Sequence, residues 1–120
     1  MYWNQEQIKE HYMHPCNKGI IEAPSFISQC YNPSCGDRVQ IYGSLNGDVI
    51  EKIMFQGEGC VIAMATASLL TVDVQQKKVQ NVNLYGAQYI QSLIGMSLGP
   101  VRLKCALLSL QALQQGLSLE

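Results

Sequence analysis

The sequence predicts an α+β fold, a small antiparallel three-stranded sheet covered by about four to five helices. Three observations point there. Residues 38–56 alternate apolar and polar side chains about an Asn46-Gly47 pair, which reads as a β-hairpin. Residues 60–72 are apolar nearly all round, the mark of a buried helix. Near the C-terminus Leu103, Leu107, Leu110 and Leu113 recur at helical spacing.

A chain of 120 residues is read as one domain, 1–120, long enough to build a core. Hydrophobic residues make up 48%, which argues against disorder. Charged residues make up 14%, against about 25% in an average domain, and the net charge is −1. That balance gives no basis for attracting nucleic acid or an anionic membrane. No run approaches the roughly 18 apolar residues of a membrane span. Met1-Tyr2-Trp3-Asn4-Gln5-Glu6 lacks the basic start and apolar core of a signal peptide. A cytoplasmic protein is expected. Five cysteines, an odd number, do not suit a disulfide framework, so core thiols or metal ligands remain.

In order, residues 4–13 read as a helix capped by Asn4, with Gln7 at the capping-box distance, and His14-Pro15 ends it. Tyr2 and Trp3 are read as packing against it. Cys16 to Gly19 form a turn, and residues 25–31 a first strand. The hairpin follows, its turn expected as type I′ with Asn46-Gly47 at the centre. Val49, Ile53 and Phe55 are expected to share the inner face of the return strand. Gly57-Glu58-Gly59 breaks the strand, and Cys60 opens the buried helix. Residues 73–98 suggest one or two helices broken at Gly86 and Gly95. The last helix is expected over 101–115, with Gly116 as its C-cap.

The chemistry gathers at Asn32-Pro33-Ser34-Cys35-Gly36-Asp37, where a thiol and a carboxylate stand two residues apart and can point to one side. Cys60, at a helix start, gains from unpaired N–H groups that stabilise a thiolate. Cys105 lies one turn inside the last helix, beside Lys104. Three thiolates and one carboxylate suit tetrahedral Zn²⁺. They also nearly complete the shell of a [2Fe–2S] or [4Fe–4S] cluster. Spacing alone does not decide between them, since no Cys-x-x-Cys pair is present. His11 and His14 could chelate at i, i+3, but an ordinary helix end explains them better. Cys30 reads as a strand packing residue. Cys16 reads as an exposed turn residue, with redox or dimer contacts as its functional alternative.

The residues around the cysteines carry a resemblance. Asn-Pro-Ser-Cys-Gly-Asp, Gly-x-Gly-Cys before an Ala- and Ser-containing helix, and Pro-Val-Arg-Leu-Lys-Cys together resemble the iron–sulfur cluster assembly scaffold family. This is the family of IscU, SufU and the NifU N-terminal domain. His11-Tyr12-Met13-His14-Pro15-Cys16-Asn17-Lys18-Gly19 is similar to its N-terminal motif, so the match spans almost the whole chain. The resemblance implies that Cys35, Asp37, Cys60 and Cys105 bind a cluster or zinc. The three cysteines are then the candidate acceptors of persulfide sulfur from a cysteine desulfurase. Further implied are recipient apo iron–sulfur proteins as partners, and a scaffold or carrier with no turnover chemistry of its own. The alternative is a zinc-binding, SufU-like sulfur-transfer partner of the desulfurase.

Two departures matter. Lys104 stands where the IscU type has a ligating histidine. Lysine there looks like the SufU branch, and it is expected to lower the pKa of the adjacent Cys105 thiol. The interval from Cys60 to Cys105 is nonetheless IscU-sized. The chaperone-recognition segment is represented by Leu98-Gly99-Pro100-Val101-Arg102, one proline short, which weakens the case for a DnaK-type chaperone. A monomer or weak dimer is expected.

Overall fold

In the computed structural model, which describes residues 2–118 with side chains from Gln5 onward, the hairpin forms where the alternation places it. Strand β1 (Phe26–Asn32) pairs antiparallel with β2 (Asp37–Asn46), and β2 with β3 (Val49–Glu58), in the order β1-β2-β3. The helices are α1 (Tyr2–Met13), α2 (Val61–Val74), α3 (Val79–Val82), α4 (Ala87–Ile94) and α5 (Pro100–Ser118). The α+β expectation holds. Helix α1 begins at Tyr2, two residues before the expected start, so Asn4 lies inside the helix and is not its cap. The expected packing of Tyr2 and Trp3 involves side chains outside those described.

Two details of the hairpin differ from expectation. Asn46 pairs with Val49, so Gly47-Asp48 form the loop, and only Gly47 has a positive φ, 64°. Glycine first with an ordinary second residue is the type II′ pattern instead of I′. One bulge also interrupts the ladder, since Ser44 pairs with Lys52 but Leu45 with Ile50. The extra residue reverses the alternation, so Ile50 is buried and Val49 is not. Beyond the bulge Ile53 and Phe55 face inward as expected.

Helix α2 has no polar face to give to water, and its residues Ala63 to Thr71 are all buried. It packs on β3, α1 and α5, while α5 lies across β1 and β2. The inner sheet residues Val39, Ile41, Ile53 and Phe55 meet Leu70, Leu110 and Leu113 in one core. Leu103 and Leu107 are only partly covered, because sheet and α2 together bury the adjoining Ala106, Leu108 and Ser109. Gly86 and Gly95 bracket α4 as the breaks predicted, Gly95 in the left-handed region at φ 73°.

Helix α5 runs through Gly116 to Ser118, so that glycine is not a cap. A Cβ at Gly116 would lie 2.3 Å from the Phe26 ring, and one at Gly43 would meet the same ring at 2.3 Å. Both glycines make room for Phe26 between sheet and helix. At the far edge of the sheet, Gly19 N–H donates to the Phe55 carbonyl (2.8 Å) and Phe55 N–H to the Asn17 carbonyl (2.9 Å). These bonds cover the β3 edge. Among the described residues no helix is long and apolar enough to cross a membrane.

Candidate functional site

Asn32 and Asp37 are the last pair of β1 and β2, so Pro33 to Gly36 close the connection between the strands. Asn32 is buried and shapes this loop. Its Oδ1 accepts from Ser34 N–H (3.2 Å), and its carbonyl accepts from Gly36 N–H (2.8 Å). Gly36 sits at φ 76°, a conformation that side chains disfavour. The turn leaves Cys35 exposed at the rim and sends Asp37 inward, 1% exposed.

Strand β3 returns beside Asp37, with Arg38 opposite Glu58 and an exposed ion pair between them (3.1 Å). Two residues on, exposed Cys60 is the N-cap of α2, its Sγ accepting from Ala63 N–H at 3.4 Å. Cys60 also reaches Asp37 twice. Its N–H donates to Oδ1 (2.9 Å), and its thiol faces Oδ2 at 3.7 Å. Gly59 permits this approach, because a Cβ there would lie 2.6 Å from Asp37 Oδ1.

From the opposite side α5 brings Cys105, 4% exposed, with its Sγ 3.6 Å from that of Cys35. The ligand atoms of Cys35, Asp37 and Cys105 all lie within 4.8 Å of one another. Cys60 joins this group through its bonds to Asp37. The Cys105 thiol is pushed well above the usual range, first by burial, then by hydrogen bonds with Asp37, Cys35 and Cys60. That is opposite in direction to the expected influence of Lys104. Consecutive helical residues point about 100° apart, so burying Cys105 turns Lys104 outward. Lys104 is exposed and lines a separate cleft of about 230 Å³ with Tyr31, Asn32, Pro33, Ser34, Leu108 and Gln111.

Asp37 forms no ion pair among the described residues, although it is almost fully buried. A carboxylate removed from water calls for a compensating positive charge. Three thiols and this carboxylate are a donor set that fits Zn²⁺ or the iron of a cluster.

The remaining candidates lie elsewhere. His11 Nδ1 is 2.7 Å from Ser68 Oγ, which also accepts from Cys16 N–H (2.8 Å). His11 therefore ties α1 to α2, and burial lowers its pKa despite the nearby Glu10. His14 and Cys16 are exposed. Cys30 is half-buried against the core, its thiol 3.5 Å from Gln115 Oε1 and raised in pKa by burial. All five cysteines are free. Sequence reasoning missed Asn32, Gly59 and Ser68 as supports. The Gly-x-Gly pattern before Cys60 was the signal for Gly59; a lone serine in an apolar helix was a weaker one for Ser68.

Comparison with known proteins follows the same outline. The family described as NifU-like N-terminal domain matches residues 3–119. A zinc-dependent sulfurtransferase SufU of Bacillus subtilis is 35% identical, over 97% of this chain and 90% of that protein. An iron–sulfur cluster assembly scaffold protein IscU of Aquifex aeolicus is also 35% identical, over 90% of this chain and 69% of that one. The Bacillus alignment spans 133 positions, more than the 120 residues here, so that protein has residues without counterparts in this chain; the Aquifex alignment spans 111. Among solved structures, a putative scaffold protein for the SUF system from Fervidobacterium islandicum superposes with a TM-score of 0.79 at 25% identity. It covers 93% of this chain and 94% of that one.

Proposed function

The chain belongs to the family of NifU-like N-terminal domains, and we propose from that membership that it is a scaffold on which iron–sulfur clusters are built and then passed on. The observation that carries this reading is the gathering of Cys35, Asp37, Cys60 and Cys105 around a carboxylate with no ion pair among the described residues. The whole chain, 1–120, acts as the scaffold domain.

The cluster, [2Fe–2S] or [4Fe–4S], is the cargo of these four side chains. Three cysteines leave one position of a four-cysteine shell to Asp37. Its Oδ1 is engaged by the Cys60 N–H, whereas Oδ2 faces the Cys60 thiol and would turn to iron once that thiol has lost its proton. A carboxylate is a harder and more exchangeable iron ligand than a thiolate, which suits a cluster that must leave. Sulfur enters at an exposed thiol, Cys35 or Cys60, because Cys105 is covered. The entering thiolate attacks the outer sulfur of the desulfurase persulfide, and the desulfurase thiolate departs with the electron pair of the broken S–S bond.

A second reading is a zinc-dependent sulfur-transfer partner of the desulfurase. The SufU similarity and Lys104 favour it. Bound at the same four residues, zinc would hold the cysteines as thiolates. The IscU-sized interval from Cys60 to Cys105 favours the scaffold. Partners in either case are a cysteine desulfurase and apo proteins that receive clusters or sulfur. A DnaK-type chaperone is a weaker candidate. In its segment Val101 is 68% exposed, but Leu98 is tethered by its N–H to Gln91 and Pro100 already begins α5. We place the protein in the cytoplasm, where free thiols persist, as a monomer or weak dimer.

Anaerobic mixing of metal-free protein with ferrous iron, cysteine and a desulfurase separates the readings. Visible charge-transfer bands are expected for the scaffold. Persulfide on a cysteine, with zinc retained and no chromophore, supports the transfer partner instead. On the scaffold reading Asp37→Ala slows release of the cluster to an apo acceptor; release at the wild-type rate overturns the role of that carboxylate.

A further inference from the structure

A cluster contains sulfide, whereas a persulfide delivers sulfur one electron short of it on each atom of the S–S bond. Some group must supply electrons. Cys35 and Cys105 come from different elements, the β1–β2 loop and α5, yet their sulfurs touch at 3.6 Å. Closing them to a disulfide requires an approach of about 1.5 Å. Their exposures differ in a useful way. Cys35 stands at the rim where a donor reaches it, and Cys105 lies behind it, closed to a donor.

We propose that this pair converts a persulfide carried on Cys35 into free sulfide, with Cys105 as the resolving thiol. The inference rests on the scaffold reading and concerns the metal-free protein. As its proton passes to the hydrogen-bonded Asp37 carboxylate, Cys105 Sγ attacks Cys35 Sγ, a Cys35–Cys105 disulfide forms, and the bond from Cys35 Sγ to the outer sulfur breaks. The outer sulfur leaves with that electron pair and takes up the Cys105 proton together with its own, as H₂S. The outer sulfur is reduced from −1 to −2, and the Cys105 sulfur is oxidised from −2 to −1. No external oxidant or reductant enters this step.

Two features direct the attack. The inner sulfur is the one Cys105 already contacts, and attack there expels sulfide, a better leaving group than an alkyl thiolate. Attack on the outer sulfur would only move the persulfide to Cys105. The product then needs a dithiol reductant, which restores both thiols by exchange and ends as a disulfide itself. The scaffold therefore stands between a persulfide donor and a dithiol-disulfide exchange reaction.

The test treats full-length, chelator-stripped protein anaerobically with a limiting amount of sodium tetrasulfide, removes excess, and reads intact mass and released sulfide. Wild type is expected to lose two hydrogens in mass and release sulfide at a rate independent of protein concentration, with Cys35 and Cys105 linked in the digest. Cys105→Ser is expected to keep one extra sulfur on Cys35 and release no sulfide until dithiothreitol is added. Cys105→Ala repeats that result in a second background, and thermal melts report whether each variant is folded. Cys16→Ser, altered outside the pocket, behaves as wild type.

A stable persulfide on wild type, sulfide release by folded Cys105→Ser at the wild-type rate, or a disulfide mapped to another pair overturns the proposal. Reconstitution from ferrous iron, sulfide and dithiothreitol bypasses this step. Charge-transfer bands there, with failed release, sink only the resolving role; absence of bands sinks the scaffold reading.

Discussion

Asp37 and Asp73 are both drawn away from water, and their neighbours differ in one kind of group. Asp73, with its side chain 35% exposed, accepts from the Lys77 ammonium (2.8 Å) and from the Tyr89 hydroxyl on α4. Tyr89 in turn stacks on Tyr85 with ring centroids 3.9 Å apart. Asp37 is 1% exposed and is met by a backbone N–H and thiols, with no ammonium or guanidinium among the described residues. The first carboxylate carries its countercharge within the chain and fastens α2 to α4. On the scaffold reading, the second leaves that place to the iron of the cluster.

The contrast breaks most clearly at Asp37→Asn. The amide oxygen still accepts from Cys60 N–H, but the charge facing the metal is gone. Zinc affinity, measured against a competing chelator, is expected to fall roughly a hundredfold. The melting temperature of the metal-free protein should hold or rise, since an uncompensated charge has been removed. A large loss of stability without metal would place Asp37 in the same class as Asp73.

Gly59→Ala sharpens the comparison without touching a ligand. Its Cβ would stand 2.6 Å from Asp37 Oδ1, so the carboxylate or the strand end must shift. Zinc affinity is expected to drop about tenfold, with about 1–3 kcal/mol of stability lost in chemical denaturation. Unchanged affinity would show that the close approach of Gly59 does not position Asp37.

Asp73→Asn should do the reverse of Asp37→Asn and with the smallest effect. Stability is expected to fall by about 1 kcal/mol, discounted because the pair is partly solvated, and zinc affinity should not change. Burial by itself would raise the Asp73 pKa, but the bonds from Lys77 and Tyr89 hold it below the ordinary 3.8. Its folded value is lower than its unfolded value. The stabilisation is therefore complete above the ordinary carboxylate range and lost as pH falls through the lowered value. Acid denaturation of wild type and Asp73→Asn should converge below that point. Curves that stay parallel would remove Asp73 from the account of acid stability.

Local pattern made the hairpin and α2 legible, because alternation and an all-apolar face are properties of neighbouring residues. It also placed the breaks at Gly86 and Gly95. The bulge at Ser44/Leu45 was not legible, since it depends on how two strands align and not on either alone. Gly116 looked like a helix end because glycine usually is one there; the Phe26 ring against α5 decided otherwise. Lys104 stood next to Cys105 in the chain, yet the helix turned the two apart.

For the site, the residue types were written in the sequence: a thiol and carboxylate two apart, a cysteine after Gly-x-Gly, and a cysteine in the last helix. Chain spacing carries no information on whether positions 35, 60 and 105 meet. The antiparallel return of β3 beside Asp37 and the crossing of α5 over β1 and β2 decided that. Only burial, a property of the whole packed chain, separated an exposed Cys35 from a covered Cys105 and left Asp37 without a cation among the described residues.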